Sequence, residues 1–158
     1  MKLQLILAPN AILNTKTQPV AVFDKELKEE VAEMLRIMKE EKGVGLAANQ
    51  VGLNKSMFVL DIPNLGALDG KIVKAYVRRT MINPTLELSG ADVSISEGCL
   101  SFPNKLVKVP RKFICNISYQ NIFGETVKEE LTGLAAIVAQ HEYDHLLGKT
   151  FLDVEQNV

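Results

Sequence analysis

The sequence predicts an α+β fold in which mostly antiparallel sheets pack around a buried late helix. Three observations predict it. An amphipathic helical stretch stands near the start, short alternating segments separated by turn residues fill the middle, and a largely apolar helical stretch comes last. The 158 residues suit one domain, 1–158, built on one core.

Pro9, Asn10, Asn14 and Pro19 mark an irregular opening segment. The first helix runs from about Asp24, its N-cap, to Glu41. Leu27, Val31, Met34, Leu35 and Met38 recur at helical spacing, and Gly43 and Gly45 end it. Ser56 to Ile62 reads as a strand, Pro63, Asn64, Gly66, Asp69 and Gly70 as a loop, and Ile72 to Val77 as the returning strand. Short strands fit Leu86–Leu88, Val93–Ser96 and Leu106–Val109. Phe113 to Gln120 alternates, with Phe113, Cys115, Ile117 and Tyr119 on one face; Asn121 to Gly124 is a hairpin turn, and Glu125 to Leu131 returns. The last helix spans about Gly133 to Leu147, with Thr132 as N-cap and Gly148 at its stop. Leu134, Ala135, Ile137, Val138, His141 and His145 share one broad face. A helix this apolar is expected to lie buried between sheets.

Lys plus Arg number 18 and Asp plus Glu 19, so nothing points to broad electrostatic binding of nucleic acid or of an anionic membrane. A transient association with the ribosome would leave no trace in this charge. No apolar run reaches membrane-spanning length. The two cysteines, Cys99 and Cys115, are too few for a disulfide scaffold and fit reduced thiols. Met1 to Pro9 lacks the cleavage site of a signal peptide. The expected location is cytoplasmic, or organellar for a form processed before Met1.

The sharpest chemical signal is His141-Glu142-Tyr143-Asp144-His145. Helix positions four apart share a face, with Cβ atoms roughly 5–6 Å apart. Two imidazoles there can converge on one metal ion, with Glu142 alongside as a base. They are the only 2 histidines in the chain, and the bland alternative is two histidines four apart by chance. A catalytic site needs a third protein ligand and an open position. Downstream, Gly148 fits one metalloprotease pattern, but Phe151 stands where that pattern has histidine; Asp153 and Glu155 are the remaining carboxylates. An upstream ligand fits better. In Glu97-Gly98-Cys99-Leu100-Ser101, a thiolate beside glycine can approach a metal closely. Cys115 competes, but its alternating strand makes it core. Gly43-Val44-Gly45-Leu46-Ala47-Ala48-Asn49-Gln50 sets small residues before Gln50, whose amide can donate to an oxyanion. By itself that stretch reads as a helix stop and a core-facing loop.

Together, the stretches Gly43–Gln50, Glu97–Ser101 and Gln140–His145 resemble the three signature motifs of the peptide deformylase family, in family order. The similarity extends over most of the chain, including Asn83-Pro84 and Val109-Pro110-Arg111. The resemblance implies that Cys99, His141 and His145 hold one divalent metal ion with a fourth position open to water. Iron(II) is the family's favoured metal; zinc, nickel or cobalt also suits these ligands. It implies Glu142 as the acid–base, and Gln50 with the Leu100 backbone N–H as oxyanion donors. N-formyl-Met nascent peptides would be the substrate. Val44, Ile95, Leu134, Ile137 and Val138 would surround the methionine side chain, although core packing accounts equally well for Leu134 and Val138. The segments at Gly45 and Leu100 would pair with an extended substrate backbone. Asp144 would orient a histidine or pair with Arg111, and Arg111 reads as part of a structural ion pair. The sequence departs from the family in a longer stretch from Pro63 to Arg79, a short tail, and Asn14 in place of a frequent Arg. Two other readings start from the same residues: a zinc endopeptidase and a metal-binding module without catalysis.

Overall fold

Helix α1, Lys25–Glu40, begins where the sequence predicts, because the Asp24 side chain accepts a hydrogen bond from Leu27 N at 3.0 Å. The computed structural model describes residues 1–68 and 71–155. The buried stripe of α1 is Leu27, Val31, Met34, Ile37 and Met38, with Ile37 taking the place expected of the more exposed Leu35. Neither predicted glycine turns the chain. Lys42 adopts the left-handed conformation, φ 56°, and Gly43 N reaches back to Met38 O at 2.8 Å. Gly45 instead opens strand β1, Gly45–Ala47, which a 3-10 turn, Ala48–Val51, follows.

The strands form one continuous antiparallel sheet in sequential order, rather than several sheets. They are β1, β2 (Met57–Leu68), β3 (Lys71–Cys99), β4 (Phe102–Gln120) and β5 (Thr126–Thr132). Pro63, Asn64 and Gly66, predicted as loop, lie within β2; Asp69 and Gly70 fall outside the described residues. The predicted pieces at Ile72–Val77, Leu86–Leu88 and Val93–Ser96 are parts of β3. Their punctuation makes bulges instead of ends. The register shifts between Ile82 and Thr85, where Asn83 has φ 52° and Pro84 offers no N–H, and between Ser89 and Asp92, where Gly90 has φ 81°. A third shift, between Glu97 and Cys99, spans Gly98. Leu106–Val109 and Phe113–Gln120 likewise fuse in β4.

Strand β2 is covered on both faces, which accounts for the unbroken apolar run Met57–Leu60. Phe58, Leu60 and Ile62 pack with Met81, Cys115, Ile117 and the alanines of α2; Met57 and Val59 pack with Leu27, Met34 and Met38 of α1. Helix α2, Gly133–Leu146, therefore lies against one face of the sheet rather than between two sheets. Thr132 is its N-cap residue but makes no side-chain capping bond. Gly148 ends it as predicted. At φ 77° it lets Lys149 N reach Asp144 O at 2.9 Å, and an added Cβ would stand 2.9 Å from the Asn14 carbonyl. Phe113 keeps the face it shares with Cys115, Ile117 and Tyr119 but lies at its open end. It sits beside Gly133 at the rim of α2, beyond the helix's cover, and is 43% exposed. No helix among the described residues is long and apolar enough to cross a membrane.

Candidate metal centre and active site

His141 and His145 lie one turn apart on the buried face of α2, and both rings are enclosed. The tight β3–β4 connection at Leu100 and Ser101 swings Cys99 over that face. Cys99 Sγ lies 3.4 Å from His145 Nε2, which lies 3.3 Å from His141 Nε2. The three donor atoms all fall within 4.8 Å of one another. Cys115 is elsewhere, fully buried in the core, where burial raises its thiol to about 11.

This donor set fits a divalent cation. One sulfur and two imidazole nitrogens converge, and the charge around them calls for a positive partner. Burial works to lower His141, yet the Cys99 sulfur and the Glu97 carboxylate outweigh it and raise the ring to about 10. His145 is pushed the other way, first by burial and then by His141. Glu97 Oε1 sits 2.9 Å from His141 Nδ1, which leaves Nε2 to face the centre.

Behind the histidines runs a buried ion network. Arg111 donates to both oxygens of Glu97 at 2.9 Å and to Asp144 Oδ2 at 2.6 Å. Burial raises the Glu97 carboxyl, but His141 and Arg111 together pull it below its ordinary value. Asp144 thus pairs with Arg111, as one of the two expected arrangements had it. Orientation of His141 falls to Glu97, a role the sequence did not reveal because it depends on how β3 faces α2.

Gln50 is held in a defined direction. Its Oε1 accepts from Ala47 N at 2.9 Å, so its Nε2 points toward Ser101 Oγ at 3.1 Å and Cys99 Sγ at 3.6 Å. The opening segment braces both loops: Ile6 N donates to Gln50 O at 2.7 Å and Ala8 N to Ser101 O at 2.9 Å. Nothing in the sequence of that segment announced this.

Glu142 is 2% exposed, and burial raises its carboxyl to about 7 even though His141 and Arg111 pull it down. Gly45 makes room for it. A Cβ on Gly45 would come within 3.0 Å of Glu142 Cγ and Oε2 and 2.9 Å of Val138 Cγ1. A cavity of about 790 Å³ opens here. Cys99, His141, Glu142, Gln50 and Leu100 line it, as do all six residues expected to hold substrate: Val44, Gly45, Ile95, Leu134, Ile137 and Val138. Leu134 is 45% exposed at the rim, whereas Val138 also packs on the core. The wall includes Phe102, Pro103 and Leu106 as well, which carry no local sequence signal for such a place.

A profile described as polypeptide deformylase matches residues 2–158. The chain belongs to this family. The peptide deformylase of Aquifex aeolicus is 41% identical over 150 residues, covering 94% of this chain and 85% of that one. Among solved structures, the peptide deformylase of Thermotoga maritima superposes with a TM-score of 0.86 at 35% identity, covering 99% of both chains. That of Ehrlichia chaffeensis gives 0.89 at 28% identity, covering 99% of this chain and 89% of that one. The mixed α+β architecture with its antiparallel sheet and late helix is thus that of the deformylases. Membership implies an enzyme that uses a divalent metal ion, and the Cys99–His141–His145 cluster offers a place for it.

Proposed function

We propose that the chain hydrolyses the formamide bond at the N-terminus of formyl-methionyl nascent peptides and releases formate. The observation that carries this reading is the position of Glu142: a buried carboxyl near neutral pKa, in the same cavity wall as Cys99 and His141. Cys99, His141 and His145 hold the metal. When bound, the divalent ion supplies Lewis acidity, polarising the formyl carbonyl and making water acidic enough to react near neutral pH. Iron(II) is the expected occupant; zinc, nickel and cobalt fit the same donors.

Glu142 takes a proton from the attacking water as its oxygen bonds to the formyl carbon, then delivers that proton to the amine nitrogen as the C–N bond breaks. A carboxyl pushed up toward neutrality by burial is a stronger base than an ordinary carboxylate, which suits proton transfer. Gln50 Nε2 and the Leu100 N–H donate to the developing oxyanion. A lost donor of this kind costs on the order of 100–1,000-fold in rate. Val44, Ile95, Leu134, Ile137 and Val138 take the methionine side chain. Strand β1 lies at the sheet edge, so Gly45 can pair with an extended substrate backbone and read little of its sequence. A transient encounter with the ribosome and a cytoplasmic location go with this substrate class.

Formyl-Met-Ala and acetyl-Met-Ala peptides test the reading. The formyl compound should be hydrolysed far faster, because an added methyl must fit beside Glu142 and Gly45. Comparable rates on both would sink it. Cleavage of interior bonds in end-blocked peptides would favour an endopeptidase, and metal without turnover on either peptide a non-catalytic module.

A further inference from the structure

The last carbonyls of α2 have no helical partners and must find them elsewhere. Leu146 O accepts from Thr17 N at 2.9 Å and Thr17 Oγ1 at 3.0 Å. His145 O accepts from Gly148 N at 3.0 Å and from Asn49 Nδ2 at 2.6 Å. Asn49 and His145 are both 0% exposed. At this joint two atoms have no protein partner, Asn49 Oδ1 and His145 Nδ1, and no other described side-chain polar atom is so deeply buried and unpaired. Buried polar atoms are nearly always paired, so each calls for a partner.

The two are chemically complementary. The amide cannot be turned around, because Nδ2 is committed to the His145 carbonyl, so Oδ1 can only accept. A histidine that offers Nε2 to a cation carries its proton on Nδ1, so Nδ1 can only donate. Two residues already tied together through the 2.6 Å bond thus leave one buried acceptor and one buried donor without a protein partner.

We propose that Asn49 is a positioning residue for His145. Its Nδ2 clamps the end of α2, and its Oδ1 orders one buried water that accepts the Nδ1–H of His145. The clamp keeps Nε2 free of a proton and aimed at the centre, 3.4 Å from Cys99 Sγ. His141 receives the equivalent support from the charged Glu97 directly, at 2.9 Å. The two histidines are therefore held by unlike partners, one anionic and one neutral and water-mediated. Asn49 also precedes Gln50, so the same bond ties the oxyanion donor's turn to the metal-bearing helix. The inference rests on the reading that His145 is a metal ligand.

Three measurements test it. In a crystal structure of the metal-loaded enzyme, one ordered water should lie within about 3 Å of both Asn49 Oδ1 and His145 Nδ1. In zinc-loaded protein labelled with nitrogen-15 histidine, His145 should show a slowly exchanging Nδ1–H with a cross-peak to bound water. In Asn49→Leu, of nearly the same size, that proton should exchange faster and the metal dissociation constant should rise roughly 10- to 100-fold. A merely structural Asn49 would lower the melting temperature and leave metal affinity and the Nδ1–H signal as they were, and that result overturns the proposal. Should Asn49→Leu not fold, the wild-type water and proton signals decide: their absence refutes it. Failure of the ligand reading is distinguishable, since His145→Ala would then keep metal with wild-type affinity.

Discussion

Replacing Glu142 with Gln should make the metal-free protein more stable while nearly abolishing turnover. In the unfolded chain Glu142 ionises at its ordinary value of 4.5, and in the folded protein at about 7. Between those values the unfolded state has released the proton and the folded state has kept it, so raising the pH favours unfolding. Above pH 7 the penalty is complete. The gap of about 2.5 pKa units corresponds to roughly 3 kcal/mol. Below pH 4.5 it vanishes, and at pH 5 it is still under about 1 kcal/mol. Gln keeps the shape and carries no charge, so the variant should gain about that much stability over wild type at pH 8 and little at pH 5. Urea titrations of both metal-free proteins at the two pH values measure the difference. Metal-loaded samples should show near-normal metal content, with kcat per bound metal reduced at least about 100-fold. A variant no more stable at pH 8 than at pH 5, relative to wild type, would refute the burial argument. Near-wild-type kcat per bound metal would refute the acid–base role.

Two further outcomes are expected. Cys99→Ala should lose or loosen the metal, whereas Cys115→Ala should keep full metal content and cost only stability, about 1 kcal/mol for a small buried group; metal analysis of both proteins checks this, and the reverse pattern would reassign the thiolate. Arg111→Met should destabilise the fold by roughly 3–5 kcal/mol, because it leaves the buried Glu97 and the half-buried Asp144 without their cationic partner; a melting temperature close to wild type would mean that the network is dispensable.

The residues that converge on the cavity could be picked out because the stretches carrying them are short. Two histidines four apart on a helix share a face whatever the rest of the chain does, whereas Cys99 and Gln50 stood out only through the resemblance of their stretches to the family's motifs. The strands were less legible. Asn83-Pro84 and Gly90 each look like turns, and only the neighbouring strands β2 and β4 decide that the chain bulges there and continues. The same holds for Lys42, which takes a left-handed conformation that a reader of the sequence assigns to Gly43. Supporting roles were hidden for a related reason. Glu97 and Asn49 act on histidines 44 and 96 positions away, and such pairings belong to tertiary structure alone.

The braces between the opening segment and the site have a bearing on how the molecule comes into being. Ile6 waits for Gln50, Ala8 for Ser101, and Thr17 for Leu146, 129 residues on. Chains dominated by such distant pairings fold slowly, since each closure costs entropy before any contact repays it. Helix α2 is the last described element to leave the ribosome, and it brings both histidines. Until then a growing chain has two thiols, Cys99 and Cys115, and no imidazole with which to bind an ion. The Cys99–His141–His145 cluster can therefore assemble only after α2 has been made, later than Cys99 and Gln50 themselves.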